Sequence, residues 1–375
     1  MAALIRINPV HCPTWQKTWV SVLAAILANE LVMLDGSAQR EISLGWKVRF
    51  LGSSLAYPEH PNRVERIETH YSWVFLTDRY VFKLKKPLRG DGFDFTTPAA
   101  RRLNAEAEVR LNRRLAAGVY VGVVPLTLER GGDLTIGGKG CAVDWLVKMI
   151  RLPASRMLDH RLAHGDLCYS EIHALAGRLA CFYATAQRMH IRPTPYLSRF
   201  RTECRSSCAV LQSGGGPALQ HATQYVARGL EAFIFCRQDL LLRRLDSGRV
   251  IEGHGDLRPE HIYLGPEPVV IDCLEFRADL RCLDAAEELA FVTMECERIG
   301  GRDIGPILFH RYSLLTRDSP PPELIAFYKA IAAFVRARLA ILHLQEFPVR
   351  QPAKWPKRAT QYLAIATRET QHLDT

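Results

Sequence analysis

The feature that most constrains this chain is a change of rhythm near Pro153. Before it, from Trp46 onward, apolar and β-branched runs are short and broken by turns. Residues 64–69, 73–76 and 80–84 read as strands, the last two joined by Thr77-Asp78-Arg79 as a hairpin. Residues 121–128, 134–136 and 142–150 return to the same rhythm, punctuated by Gly131-Gly132-Asp133 and by Gly137-Gly138-Lys139-Gly140. One helix interrupts them. Thr97 reads as its N-cap, Pro98 takes the first helical position, Leu103, Ala107, Leu111 and Leu115 recur at helical spacing, and Gly118 ends it. After Pro153 the runs are long and helical: 170–190, 218–245, 285–299, 323–345 and 357–369, with an irregular stretch at 254–272. The glycines at 214–216 read as a loop between helices. The pattern predicts an α+β fold of two lobes. Residues 1–44 form an N-terminal extension expected to be poorly ordered, 45–152 a small antiparallel-sheet lobe with one helix, and 153–375 a larger helical lobe.

Charge and cysteine usage narrow the function classes. Lys and Arg outnumber Asp and Glu by 49 to 39, which suits an anionic ligand such as a nucleotide. The charge is spread along the chain and rich in arginine, so nucleic acid is not the expected partner. Ten cysteines show neither a CxxC pair nor a Cys/His zinc spacing, and they read as small buried residues of a reducing compartment. No apolar stretch is long enough for a bilayer, since 324–344 carries Lys329, Arg336 and Arg338. The apolar run at 19–28 follows residues holding Arg6, Lys17, Pro9 and Pro13, and no small-x-small site follows it. It reads as a short amphipathic helix or an upstream start, not an export signal, and the protein is expected in the cytoplasm.

The chemistry concentrates in the irregular stretch. His254-Gly255-Asp256-Leu257 leads to residue 261, then to a short strand, a turn at Gly265-Pro266-Glu267-Pro268, and Val269-Val270-Ile271-Asp272. A hairpin of this kind brings Asp256, His261 and Asp272 to one edge, where two carboxylates suit a divalent cation and a general base beside it. The four letters alone decide nothing: His164-Gly165-Asp166-Leu167 repeats them ahead of a long helix, with no strand pair and no second aspartate. Gly138-Lys139 falls short of a Walker phosphate loop, because Asp133 stands where the first glycine belongs and Gly140 where Ser or Thr belongs. Asp284-Ala285-Ala286-Glu287 reads as a capping box.

With that stretch, Glu68-Thr69-His70-Tyr71-Ser72-Trp73-Val74-Phe75 and Lys83-Leu84-Lys85-Lys86-Pro87 give the chain from about residue 46 onward a resemblance to a known group. It resembles the aminoglycoside phosphotransferase-like, choline-kinase-like small-molecule kinases, which share the protein-kinase fold. Its bacterial subgroup often carries a further P-loop domain, expected to be absent here because no Walker motif occurs. The resemblance implies ATP bound between the lobes, with Met149 and Ile150 at the nucleotide and the hinge near 149–152. It implies Lys83 on the α- and β-phosphates, oriented by Glu108, while Lys85 and Lys86 are expected in solvent. Asp256 becomes the catalytic base for a hydroxyl of a small-molecule acceptor, and Asp272 a ligand of Mg²⁺. His261 stands where the family has Asn. An imidazole nitrogen suits Mg²⁺ poorly and Mn²⁺ better, and Glu260 next to it offers oxygen instead. The departure leaves a second reading open, a nucleotide-binding pseudokinase that regulates a partner such as a separately encoded P-loop protein.

Overall fold

In the computed structural model, residues 42–90, 92–214, 216–345 and 351–373 are described. The expected N-terminal extension, up to residue 41, and the apolar run at 19–28 lie outside the described residues. The described chain divides into two compact units, one spanning residues up to 113 and 118–151, the other 114–117 and 152 onward.

In the first unit, strand alternation sorts apolar from charged side chains. Helix α1 (Leu44–Leu51) precedes β1 (Glu65–Glu68), β2 (Ser72–Leu76), β3 (Tyr80–Lys85) and the small hairpin β4 (Arg89–Gly90) and β5 (Phe93–Asp94). Helix α2 (Pro98–Ala116) then leads to β6 (Tyr120–Leu128), β7 (Leu134–Ile136) and β8 (Cys141–Ile150). Six strands form one sheet in the order β1-β2-β3-β8-β6-β7, every neighbouring pair antiparallel. Phe75, Phe82, Leu84, Leu126 and Leu146 join Leu51 and Tyr57 in its core. Residues 137–140 turn between β7 and β8, which both pair with β6 and not with each other, so Gly138-Lys139 lies in a connection across β6 and not in a hairpin.

Helix α2 departs from the leucine-based expectation. Leu103 is 67% exposed, while Asn104, Glu108 and Asn112, spaced by four, are buried with Ala105, Val109 and Leu111. Polar groups define the buried face because they have partners there: the Asn112 amide donates to the Glu108 carbonyl at 2.9 Å, and the Glu108 carboxylate faces lysines described below. The Thr97 hydroxyl caps the helix by accepting from the Ala100 N–H at 3.1 Å. A second buried carboxylate ties both helices to the sheet. Asp144 on β8 accepts from Lys47 of α1 and from two nitrogens of Arg101 of α2, each at 2.8 Å.

The second unit is helical. It comprises α3 (Leu158–His164), α4 (Tyr169–Thr185), α5 (Pro193–Gly214), α6 (Pro217–Cys236), α7 (Gln238–Asp246), α8 (Ala285–Arg298), α9 (Ile304–Thr316), α10 (Pro322–Leu342) and α11 (Lys354–Gln371). Three short antiparallel strand pairings would leave their edges bare in isolation. Here β10 (Ile262–Tyr263) pairs with β11 (Val269–Val270), and β9 (Val250–Glu252) with β12 (Cys282–Asp284), against the helices, while the third pairing, β4 with β5, belongs to the first unit. Sequence rhythm misses α5 because its buried positions, Tyr196, Leu197, Phe200, Cys204, Ser207 and Leu211, are diluted by polar residues and two prolines at its start. The single helix expected over 218–245 is two, broken at Arg237. The capping box forms as expected at Asp284 and Glu287. That same Asp284 is buried and binds Arg244, whose guanidinium also grips Asp318, with Tyr328 and Tyr312 donating to the two carboxylates.

No helix among the described residues is long and apolar enough to cross a membrane. The described cysteines are all free, but only Cys204, Cys273, Cys282 and Cys296 are buried, while Cys141, Cys168, Cys181 and Cys236 are exposed. The expectation of uniformly buried thiols is corrected to that extent: the exposed ones lie on solvent faces of helices or at element ends, where packing makes no demand on them.

Removing one member of a buried charge group leaves the others desolvated without compensation. Asp144→Ala strands Lys47 and Arg101 together, and it is expected to cost about 3–5 kcal/mol, read as a lowered urea midpoint. Arg102→Ala, which breaks an exposed pair with Glu106 and lifts a guanidinium off the Trp145 ring, should cost much less, about 1 kcal/mol.

Candidate active site

Lys83 and Lys85 lie two residues apart on β3, so both side chains leave the sheet on one face. Lys83 donates to Glu108 Oε1 at 2.9 Å, and the Lys85 ammonium lies 2.5 Å from Oε2. The Glu108 side chain is fully buried and that of Lys83 is 14% exposed. The expectation of a solvated Lys85 is therefore corrected: it is 1% exposed. Strand period alone carried this signal, since a residue two positions from an inward lysine faces inward too. Lys86, on the other face, donates to Glu68 at 2.6 Å and lies over the Trp73 ring, so it too is paired rather than free in water. Met149 and Ile150 end β8 opposite Val81 and Tyr80 of β3.

In the second unit, residues 253–274 gather the other expected residues. Gly255 has φ 86°, a conformation open to glycine, and a Cβ there would meet Arg281, Leu274 and the Leu280 carbonyl at 3.1–3.2 Å. Glu288 of α8, buried, accepts from the His254 and Gly255 N–H groups at 2.8 and 2.6 Å and so fixes the start of the loop. Arg114 holds the same stretch from another side, donating to the Glu252 and Gly253 carbonyls at 2.9 and 2.8 Å. Neither group was visible in the sequence, because both act on backbone atoms that no side-chain motif marks.

The β10–β11 hairpin then folds His261 between the two aspartates. Its Nδ1 lies 2.9 Å from the Asp256 carbonyl and 3.7 Å from Asp256 Oδ2, and its Nε2 lies 3.6 Å from Asp272 Oδ2. A carbonyl oxygen only accepts, so Nδ1 carries a proton, and Nε2 is on the Asp272 side. Asp272 has φ 61°, a left-handed conformation rare for a residue with a Cβ and typical of constrained functional positions. Asp256, His261 and Asp272 thus come together as the hairpin reading expected. Glu260 does not join them; it pairs with Arg258. Among the described residues no group of three or more His, Cys, Asp or Glu side chains could hold a metal ion alone. Asp272 with the His261 Nε2 would supply one oxygen and one nitrogen to a divalent cation, a pair that suits Mn²⁺ better than Mg²⁺.

The second His-Gly-Asp-Leu copy is built differently. His164 ends α3, Gly165 caps it with φ 67°, and the exposed Asp166 accepts from Arg161 at 2.9 Å. Both copies need glycine at positive φ, but only the later one is followed by a hairpin that returns an aspartate.

No known family model matches the sequence. The chain is 30% identical over 308 residues to uncharacterized protein Rv2004c of Mycobacterium tuberculosis (strain H37Rv) and equally to uncharacterized protein Mb2027c of Mycobacterium bovis. The match covers 81% of this chain and 59% of each relative, so the chain spans about three-fifths of their length. Among solved structures it is similar to a choline/ethanolamine kinase family protein from Mesorhizobium loti, with a TM-score of 0.52 at 13% identity over 87% of this chain and 98% of that one. A choline kinase from Cryptosporidium parvum gives a TM-score of 0.52 at 9% identity, over 88% and 96% of the two chains. The fold is that of these kinases.

The loop also carries a pH response. His254 is fully buried, its Nε2–H donates to the Ile271 carbonyl at 3.0 Å, and its Nδ1 accepts from the Asp256 N–H at 3.4 Å. Burial, assisted by the neighbouring His261, pushes its pKa down to about 3 against an ordinary 6.5. The folded protein therefore refuses a proton that the unfolded chain accepts. Stability from this group is complete above pH 6.5 and is lost as pH falls from there towards 3, at about 1.4 kcal/mol per unit. Urea unfolding at pH 7 and 5.5 should show this slope in the wild type, and His254→Gln should be less stable at pH 7 but flatter by about one proton.

Proposed function

We propose that the protein transfers the γ-phosphoryl group of ATP to a hydroxyl of a small molecule. The observation that carries the reading is Asp256, His261 and Asp272 gathered by one loop and hairpin in a chain with a choline-kinase fold. Family membership with the small-molecule phosphotransferases is part of the proposal. In this chemistry the protein mainly positions the reactants and neutralises charge. Lys83, steadied by Glu108, binds the α- and β-phosphates, and Lys85 on the same carboxylate helps offset the buried negative charge. Met149 and Ile150 lie against the adenine. Asp256 orients the acceptor hydroxyl and takes its proton as the oxygen bonds to the γ-phosphorus and the bond to the β-phosphate oxygen breaks, releasing ADP. Asp272 and the His261 Nε2 would hold the divalent cation, Mg²⁺ or, with its greater tolerance of nitrogen, Mn²⁺. When bound, the cation supplies positive charge to the β- and γ-phosphates.

Two pairs of variants test the reading. Lys83→Ala is expected to weaken ATP binding by about tenfold or more in calorimetry, while Lys139→Ala in the β7–β8 turn leaves it unchanged. Equal affinity in wild type and Lys83→Ala would overturn the assignment. Asp256→Asn should lower ADP formation by about a hundredfold to ten-thousandfold, whereas Asp166→Asn should match the wild type. Nucleotide binding without turnover on any alcohol, with either metal, would replace the enzyme by a nucleotide-dependent regulator of a partner protein.

A further inference from the structure

We propose that the acceptor is an anionic alcohol, a small hydroxyl compound bearing a phosphate or carboxylate group, held by a cationic cluster beside Asp256. The inference rests on the kinase reading above and assigns the substrate class of the same site. Arg258, two residues past Asp256, places Nη1 3.8 Å from Asp256 Oδ2 and pairs with Glu260. Arg298 at the end of α8 and Arg336 of α10 lie 5.3 and 5.6 Å from the centre of the Tyr362 ring, and their Nε atoms share Glu295 at 3.0 and 3.1 Å. From α11 come Lys354 and Arg358, whose charged groups lie 4.9 and 5.9 Å from the centre of the Trp355 ring.

These five cations face three carboxylates, Asp256, Glu260 and Glu295, and Glu260 and Glu295 are already paired. Neither Lys354 nor Arg358 lies within ion-pair distance of a carboxylate among the described residues, and Glu260 and Glu295 reach them only at longer range. The first turn of α11 contains no acidic residue to neutralise these two cations. The crowding registers in the ionisation of the cluster. Burial lowers the pKa of Lys354, with Arg358 and Arg258 adding to it; burial lowers that of Arg358 as well, with Arg298 adding. Arg336 connects the cluster to the base: burial opposes its charge, but Tyr362, Glu295 and Asp256 outweigh it and hold the guanidinium above its ordinary value. Among the described residues the buried cations Lys47, Lys85, Arg101, Arg244 and Arg281 are each matched to a carboxylate, whereas Lys354 and Arg358 are partly exposed. Here the missing anion is one that a ligand can bring, and charge-assisted contacts to it select against cationic alcohols such as choline.

Isothermal titration of the full chain with D-ribose 5-phosphate, D-glycerate, D-ribose and choline tests the inference, with ATP titrated in parallel. The charged compounds are expected to bind at least about tenfold more tightly than ribose and choline. A stronger response to ribose 5-phosphate assigns the phosphate, and a stronger response to glycerate the carboxylate. The double variant Lys354→Gln/Arg358→Gln should lose that preference while binding ATP as the wild type does. Arg358→Glu, at a half-exposed position, provides a second variant. Equal binding of charged and uncharged compounds, tightest binding of choline, or a preference that survives both variants overturns the inference. A loss of ATP affinity in the double variant also overturns it, by assigning the cluster to the nucleotide. Failure of the kinase reading looks different: ATP then fails to bind, or binds independently of Lys83, whatever the acceptor panel does.

Discussion

Burying a carboxylate is the constraint around which this protein is arranged. An ionised acid removed from water is tolerated only with cations or N–H donors close by, and each buried acid here has more than one. Glu108 faces Lys83 and Lys85. Asp144 accepts from Lys47 and Arg101. Asp284 and Asp318 share Arg244, and Glu295 lies between Arg298 and Arg336. In the first unit these groups connect helices to the sheet, and in the second they connect helices that are distant in sequence. Ion pairs of this kind add little net stability over apolar packing, but they penalise any arrangement that separates them. They therefore specify how elements dock more than how firmly.

The candidate site uses the same device on backbone atoms. Glu288 answers two loop N–H groups, Arg114 answers two loop carbonyls, and Gly255 supplies the one conformation that lets the chain turn between them. With the loop held at both ends, the hairpin determines where His261 and Asp272 fall. The ring of His261 is oriented by its own hydrogen bond to the Asp256 carbonyl, so the departure from the expected amide is built into the loop rather than loosely appended. Against this background of matched charge, Lys354 and Arg358 stand out as cations without an ion pair among the described residues.

Several features were legible in the sequence for local reasons. Strand rhythm and glycine turns located the sheet, Thr97 and Asp284 marked helix starts, and the spacing from Asp256 to Asp272 was enough to expect a hairpin joining them. The inward direction of Lys85 was present in the strand period but was overruled by the general preference of lysine for water. Helix α5 and the buried face of α2 were misread because periodicity counts apolar residues, whereas those faces include Ser207, Asn104, Glu108 and Asn112.

What the sequence determined by itself was therefore the strands of the first unit, several helix starts and the position of the candidate loop, since turns, caps and short hairpins depend on neighbours within a few residues. Tertiary structure decided which charges meet. Glu108 and Lys83 are 25 residues apart, Asp144 and Lys47 are 97, and Arg114 reaches the Gly253 carbonyl across 139. No local rule chooses among the 49 basic residues available to each acid. The choice follows from desolvation, which acts only once the elements have packed and each buried charge must find its partner within a few ångströms.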